Sequence, residues 1–168
     1  MKELMDADRV IIYADESTFS PGIRPGKTWM GDVRVIAPRN NPMLRNVTVY
    51  GAISGAIPFP VFLTSHTTNQ QEFSRFIDHL IEKTRLLRRP VLVLDNHRAH
   101  KTADNMAKMA EHFEVVFQPP YSSPFNAQET VWARVKEIFR NKLYQRDTNL
   151  RTQQQFHNYV TRILDLAK

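Results

Sequence analysis

Residues 91–101 read VLVLDNHRAHK. Four apolar residues run without interruption into Asp95, and a polar, basic segment follows at once. The same grammar occurs near the start of the chain, where Val10-Ile11-Ile12-Tyr13-Ala14 leads into Asp15 and then Glu16. Such runs are too short for helices and β-branched enough for strands. Without polar alternation they fit strands covered on both faces, as in the parallel core of an α/β sheet. Residues 9–15 and 91–95 are therefore expected to be buried strands, each ending on its aspartate.

The remaining elements are read outward from these two. Residues 46–55 and 59–64 resemble paired antiparallel strands. Residues 20–45 hold four prolines and read as a protruding arm rather than core. A helix is expected over 67–87, with a capping-box spacing at Asn69 and Glu72 and an apolar stripe of Phe73, Phe76, Ile77, Leu80 and Ile81. Past residue 95 come a helix over 102–112 with Met106, Met109 and Ala110 inward, and a short strand over 114–118. A helix over 126–143, striped by Val131, Val135, Ile138, Phe139 and Leu143, follows a proline-studded loop. A last helix over 152–166 buries Phe156, Val160, Ile163 and Leu164. This order predicts one domain over 1–168: an α/β fold with a mixed sheet of about five strands, helices on both faces and an inserted arm.

Composition bounds the partners. The 168 residues carry a formal charge of +6 and contain no cysteine. Disulfides and thiolate metal sites are excluded, and the positive balance favours polyanions. Residues 20–46 place Arg24, Lys27, Arg34, Arg39 and Arg45 against Asp32 alone, and residues 134–151 hold six basic side chains against two acids. No apolar run is long enough to span a bilayer and there is no signal-peptide core, so the expectation is a cytoplasmic protein without membrane contact.

Asp15, Asp95 and Glu129 are the candidate site. Ligands in open α/β sheets gather beyond the carboxyl ends of strands. Carboxylates brought together repel unless a cation sits among them, and an all-oxygen donor set selects magnesium or manganese. Two such ions can clamp the attacking and leaving oxygens of a phosphoryl displacement, while basic flanks hold a nucleic-acid backbone by its phosphates. Each acid also has a plainer role. Asp15 and Glu16 could open a turn, Asp95 with Asn96 could cap the next helix, and Asn126 with Glu129 forms a legitimate capping box.

The segments ADESTF (14–19), VLVLDNHRAHK (91–101) and QPPYSSPFNAQETVWARVK (118–136) resemble the three blocks of the Tc/mariner-like DDE transposase superfamily, most closely its bacterial insertion-sequence branch. The acids at 15, 95 and 129 stand 80 and 34 positions apart, and the second, tight spacing is that branch's. The resemblance covers roughly residues 9–143. It implies an RNase H-like fold, with Asp15, Asp95 and Glu129 holding two Mg2+ ions for which Mn2+ substitutes. It also implies strand cleavage at transposon ends, strand transfer into target DNA, a homodimer in the active complex, and a place in the bacterial cytoplasm at the nucleoid. Ala127 and Gln128 stand where the family usually has a proline and an aliphatic residue. Helix-turn-helix modules normally precede this domain, whereas only MKELMDAD precedes residue 9. The expectation is a catalytic domain alone, with an N-terminal DNA-binding half or a full-length transposase as partner.

Further assignments are subordinate. Arg24, Lys27, Arg34 and Arg39 on the arm, with Lys136 and Arg140 on the helix of Glu129, are the candidate DNA contacts. Lys136 and Arg140 lie on nearly the same helix face as Glu129, and they serve equally as solvated charge. Glu16, Asn96 and Asn126 are candidate supports of the three acids. Trp132 reads as core rather than as a base-stacking platform. His97 and His100, three apart, would form a zinc pair only with a third ligand. Two other readings fit the sequence: a non-catalytic DNA-binding or regulatory fragment, and another RNase H-like nuclease.

Overall fold

The computed structural model describes residues 9–22, 44–56, 61–65, 68–119, 126–143 and 150–167. Most of the expected arm, including Arg24, Lys27, Arg34 and Arg39, lies outside these residues, as does the loop at 120–125. Five strands form one mixed sheet: β1 (Ile11–Phe19), β2 (Val47–Ile53), β3 (Val61–Ser65), β4 (Val91–Leu94) and β5 (Glu114–Phe117), in the order β3-β2-β1-β4-β5. β1, β2 and β3 pair antiparallel, whereas β4 runs parallel to both β1 and β5.

β1 is central, and it corrects the expected strand end. Ile11 to Tyr13 pair with Val91 to Val93 of β4, and Tyr13 to Phe19 pair with Ile53 back to Val47 of β2. The strand thus runs four residues beyond Asp15. The polarity of Asp15, Glu16, Ser17 and Thr18 reads as a strand end, but pairing to β2 is a backbone property and carries the strand through it. β4 does stop at Leu94, with Asp95 immediately after.

Alternation along β1 splits its side chains between two cores. Ile12 and Ala14 pack with Tyr50, Ala52, Leu92 and Leu94 against helices α1 (Gln70–Thr84) and α2 (Ala103–His112). Phe19, with Val47 and Val49, packs against α3 (Ala127–Leu143) and α4 (Gln153–Asp165). The four residues of β4 are all buried. Each such side chain contributes about 1.5–3 kcal/mol, which fixes the strand that leads into Asp95.

The helices follow their apolar stripes, with shifts at the ends. α1 begins at Asn69, whose side chain accepts from the Glu72 amide at 2.9 Å, while the Glu72 carboxylate turns to Arg75. It stops at Thr84, short of 87; Leu86 is 91% exposed, and Leu87 packs on the core from the turn that follows. On α2, Asn105 and Met109 face inward, while Ala110 is exposed and Met106 only half-buried. Asn105 turns in because its amide donates to Ala99 O at 2.9 Å, fastening the turn before α2. In α4 the buried residues are Phe156, Val160, Ile163 and Leu164, and Thr152 with Gln155 makes a reciprocal capping box.

Candidate metal centre and its surroundings

The parallel register sets the first two acids side by side. Tyr13 opposes Val93, so two residues further along both strands Asp15 comes level with Asp95. Asn126 brings in the third. Its buried side chain accepts from the Gln128 amide at 3.0 Å and donates to Ala14 O at 3.3 Å. The start of α3 is thereby tied to the backbone next to Asp15, and Glu129 lies in that first helical turn.

Electrostatics register the proximity. The Asp15 carboxyl is pushed up to about 7, first by burial and then by the negative charges of Glu16, Glu129 and Asp95, against a lowering backbone hydrogen bond. Asp95 is held below its ordinary value, first by its contact with His100 and also by the His97 amide, which donates to Oδ1 at 3.0 Å. A half-buried acid with other carboxylates close by is the condition a cation relieves.

Trp132 has a role that the sequence reading missed. It is core, 1% exposed, yet its indole Nε1 donates to Asp15 Oδ2 at 3.2 Å. Gly51, opposite Asp15 on β2, makes room for the ring. A Cβ there would lie 2.7 Å from Trp132 ring carbons and 2.5 Å from Gln128 Nε2. An indole donor at i+3 from the acid was the available signal, but its target was invisible without the register.

Of the three expected supports, Asn126 ties the start of α3 beside Asp15, whereas Glu16 and Asn96 are arranged differently. Glu16 lies inside β1 rather than in a turn and points away from Asp15, towards the α1 side. There His100, 1% exposed, sits with Nε2 3.3 Å from Glu16 and Nδ1 2.9 Å from Asp95. Burial would lower the His100 pKa, but the two acids outweigh it and raise it to about 9. Asn96 does not bond Asp95. Its amide donates to Gln118 O at 2.5 Å, and its carbonyl oxygen accepts from Lys101, so it shapes the loop that carries Asp95. Lys136 is half-buried and Arg140 exposed on α3. Among the described residues no helix is long and apolar enough to cross a membrane.

The family model described as DDE superfamily endonuclease matches residues 10–151, a span that includes Asp15, Asp95 and Glu129. The chain belongs to the DDE superfamily endonucleases. No curated protein matched the sequence. Among solved structures, a chain of the simian T-cell lymphotropic virus intasome bound to PP2A regulatory subunit B56 gamma is similar at 14% identity and a TM-score of 0.58. The match covers 92% of this chain and 46% of that one. The HTLV-2 integrase catalytic core domain, solved with magnesium, matches at 10% identity and a TM-score of 0.53, covering 92% and 82%. The Mos1 strand transfer complex matches at 14% identity and 0.51, covering 94% and 52%. At these identities the likeness is one of fold. This DDE chain has the RNase H-like fold of integrase and transposase catalytic cores and spans about half the length of the intasome and Mos1 chains.

Proposed function

We propose that this DDE domain is the catalytic core of a transposase of the insertion-sequence type, cutting DNA strands at element ends and joining them to target DNA. The observation that carries the reading is the set of three acids drawn from two neighbouring strands and a helix start, close enough for Asp95 and Glu129 to raise Asp15. In this reading Asp15, Asp95 and Glu129 hold two Mg2+ ions, with Mn2+ as a substitute. The donor set fits, since it is all carboxylate oxygen and its mutual repulsion calls for a cation. Bound divalent ions would activate the attacking oxygen and offset charge on the leaving oxygen of an in-line displacement.

The chain's own groups prepare that chemistry. Trp132 orients Asp15 through its indole N–H, and His100 with the His97 amide holds Asp95 ionised. Asn126 keeps the start of α3 against β1. Lys136 and Arg140, with the arm's Arg24, Lys27, Arg34 and Arg39, are proposed to bind backbone phosphates. A DNA-binding half or a full-length transposase is proposed as the partner for end recognition, in a paired complex of two copies acting in the bacterial cytoplasm at the nucleoid.

Plasmid nicking tests the proposal. The purified chain with Mn2+ is expected to nick supercoiled DNA weakly and without sequence preference, and Asp95→Ala to lose about 100-fold or more of that rate. An inactive wild-type chain, or equal nicking by Asp95→Ala, would refute it.

A further inference from the structure

His97 and His100 are joined by a 3-10 turn, Arg98–Lys101, for which His97 is the N-cap. A 3-10 turn has three residues, so positions i and i+3 eclipse. Accordingly the His100 amide donates to His97 O at 3.1 Å, and the two rings meet edge to face with centroids 5.4 Å apart. The third ligand absent from the sequence motif comes from β1. Glu16 Oε1 lies 4.0 Å from His97 Nδ1, and its Oε2 lies 3.3 Å from His100 Nε2. One donor atom from each of the three side chains falls within 4.8 Å of the others.

We propose that Glu16, His97 and His100 form a second metal site, for a transition-metal ion of the Zn2+ class, separate from the three-carboxylate centre. Adjacent strand residues point to opposite faces, and β1 divides the two sites accordingly. Asp15 faces Trp132 of α3, whereas Glu16 faces His100, whose ring lies 4.1 Å from that of Phe73 on α1.

Three features fit a metal. Tetrahedral zinc with nitrogen and oxygen ligands at about 2.0–2.2 Å needs donors roughly 3.3–3.5 Å apart; the two Glu16–histidine contacts are 3.3 and 4.0 Å, and all three donors lie within 4.8 Å of one another. His100 is 1% exposed, and its Nε2 is aimed at the Glu16 carboxylate 3.3 Å away. A buried imidazole nitrogen directed at a second ligand atom is placed to share an ion with it. Its Nδ1 also stands 2.9 Å from Asp95, the arrangement in which a metal-bound histidine gives its second N–H to a carboxylate and so fixes its tautomer. Imidazole nitrogens favour zinc and its neighbours, whereas magnesium takes oxygen. The side chain of His97 is 43% exposed and lines an open cavity of about 510 Å³ with Thr68, Asn69 and Gln70, so the site has an entry path.

The consequence is a clip between β1 and the turn after β4, acting on Asp95 through His100. It does not depend on the nuclease reading. The test is Zn2+ titration of the chelator-stripped full chain by calorimetry, in excess Mg2+, across wild type, His97→Ala, Glu16→Gln and Glu129→Gln. One tight equivalent is expected in wild type and in Glu129→Gln, with affinity at least about 10-fold weaker in His97→Ala and Glu16→Gln. His97 is exposed, so its loss spares the fold, and circular dichroism checks both histidine-site variants. No tight equivalent in wild type, or unchanged affinity in His97→Ala, overturns the site. Loss of the equivalent in Glu129→Gln also overturns it, because the ion would then belong to the carboxylate centre.

Discussion

At Gly51 a single absent methyl decides whether Asp15 keeps its indole partner. The glycine pairs with Asp15 across β1 and β2, and the space a Cβ would take is filled by Trp132 and Gln128, 1% and 0% exposed. Neither neighbour can swing into solvent, so one must shift within the core. Gly51→Ala is expected to cost about 1–3 kcal/mol, the usual range for overpacking, and to move the indole off Asp15. Urea denaturation reads the first effect, and Mn2+ affinity by calorimetry reads the second as a weakening. An unchanged midpoint with unchanged Mn2+ affinity would show that the ring does not depend on this gap.

Helix α3 serves the site through its first turn. Asn126 closes that turn on the Gln128 amide and fastens it to Ala14 O. Removing the side chain leaves both groups unsatisfied in a buried setting. Asn126→Ala should therefore lose about 1–3 kcal/mol and lower nicking more than a cap elsewhere does. Thr152→Ala on α4 is the control, of similar stability cost but with activity retained; equal activity losses in the two variants would sink the argument. Elements were legible where burial pattern determines them: β4, α4 and the stripe of α1 stand where the sequence puts them. β1 was read short because the pairing of its polar half to β2 leaves no mark on side-chain polarity. Motif and spacing single out the three acids and put Asn126 beside them, but two contacts around them leave no mark in the sequence. Trp132 reaching Asp15 and Glu16 completing the histidine pair both follow from which face of β1 a residue takes, and that depends on the register of a strand whose end was misplaced.

At the scale of the whole molecule, the site makes stability depend on pH in a definite direction. A group whose folded pKa is raised holds its proton more tightly in the native state, so its contribution is full below the unfolded pKa and is lost as pH rises through the folded one. Asp15, raised from 3.8 to about 7, gives up its share between those values. His100, raised from 6.5 to about 9, does so over the next window. Asp95 has the opposite sign: lowered by His100, it contributes above 3.8 and loses that share as pH falls through its depressed value. The metal-free chain should then be most stable near about pH 4 as far as these groups govern it, and should melt at progressively lower temperature towards about pH 9. Divalent ions bind the ionised carboxylate, so their stabilisation should grow as pH passes through the Asp15 value. Thermal melts in chelator and in Mn2+ between about pH 5 and 9 test this: the two curves should diverge with rising pH, and Asp15→Asn should flatten the chelator curve below about pH 7. A gap between the curves that stayed constant with pH would mean that Asp15 is already ionised before any cation arrives, and that the burial and crowding of the carboxylates do not control metal entry.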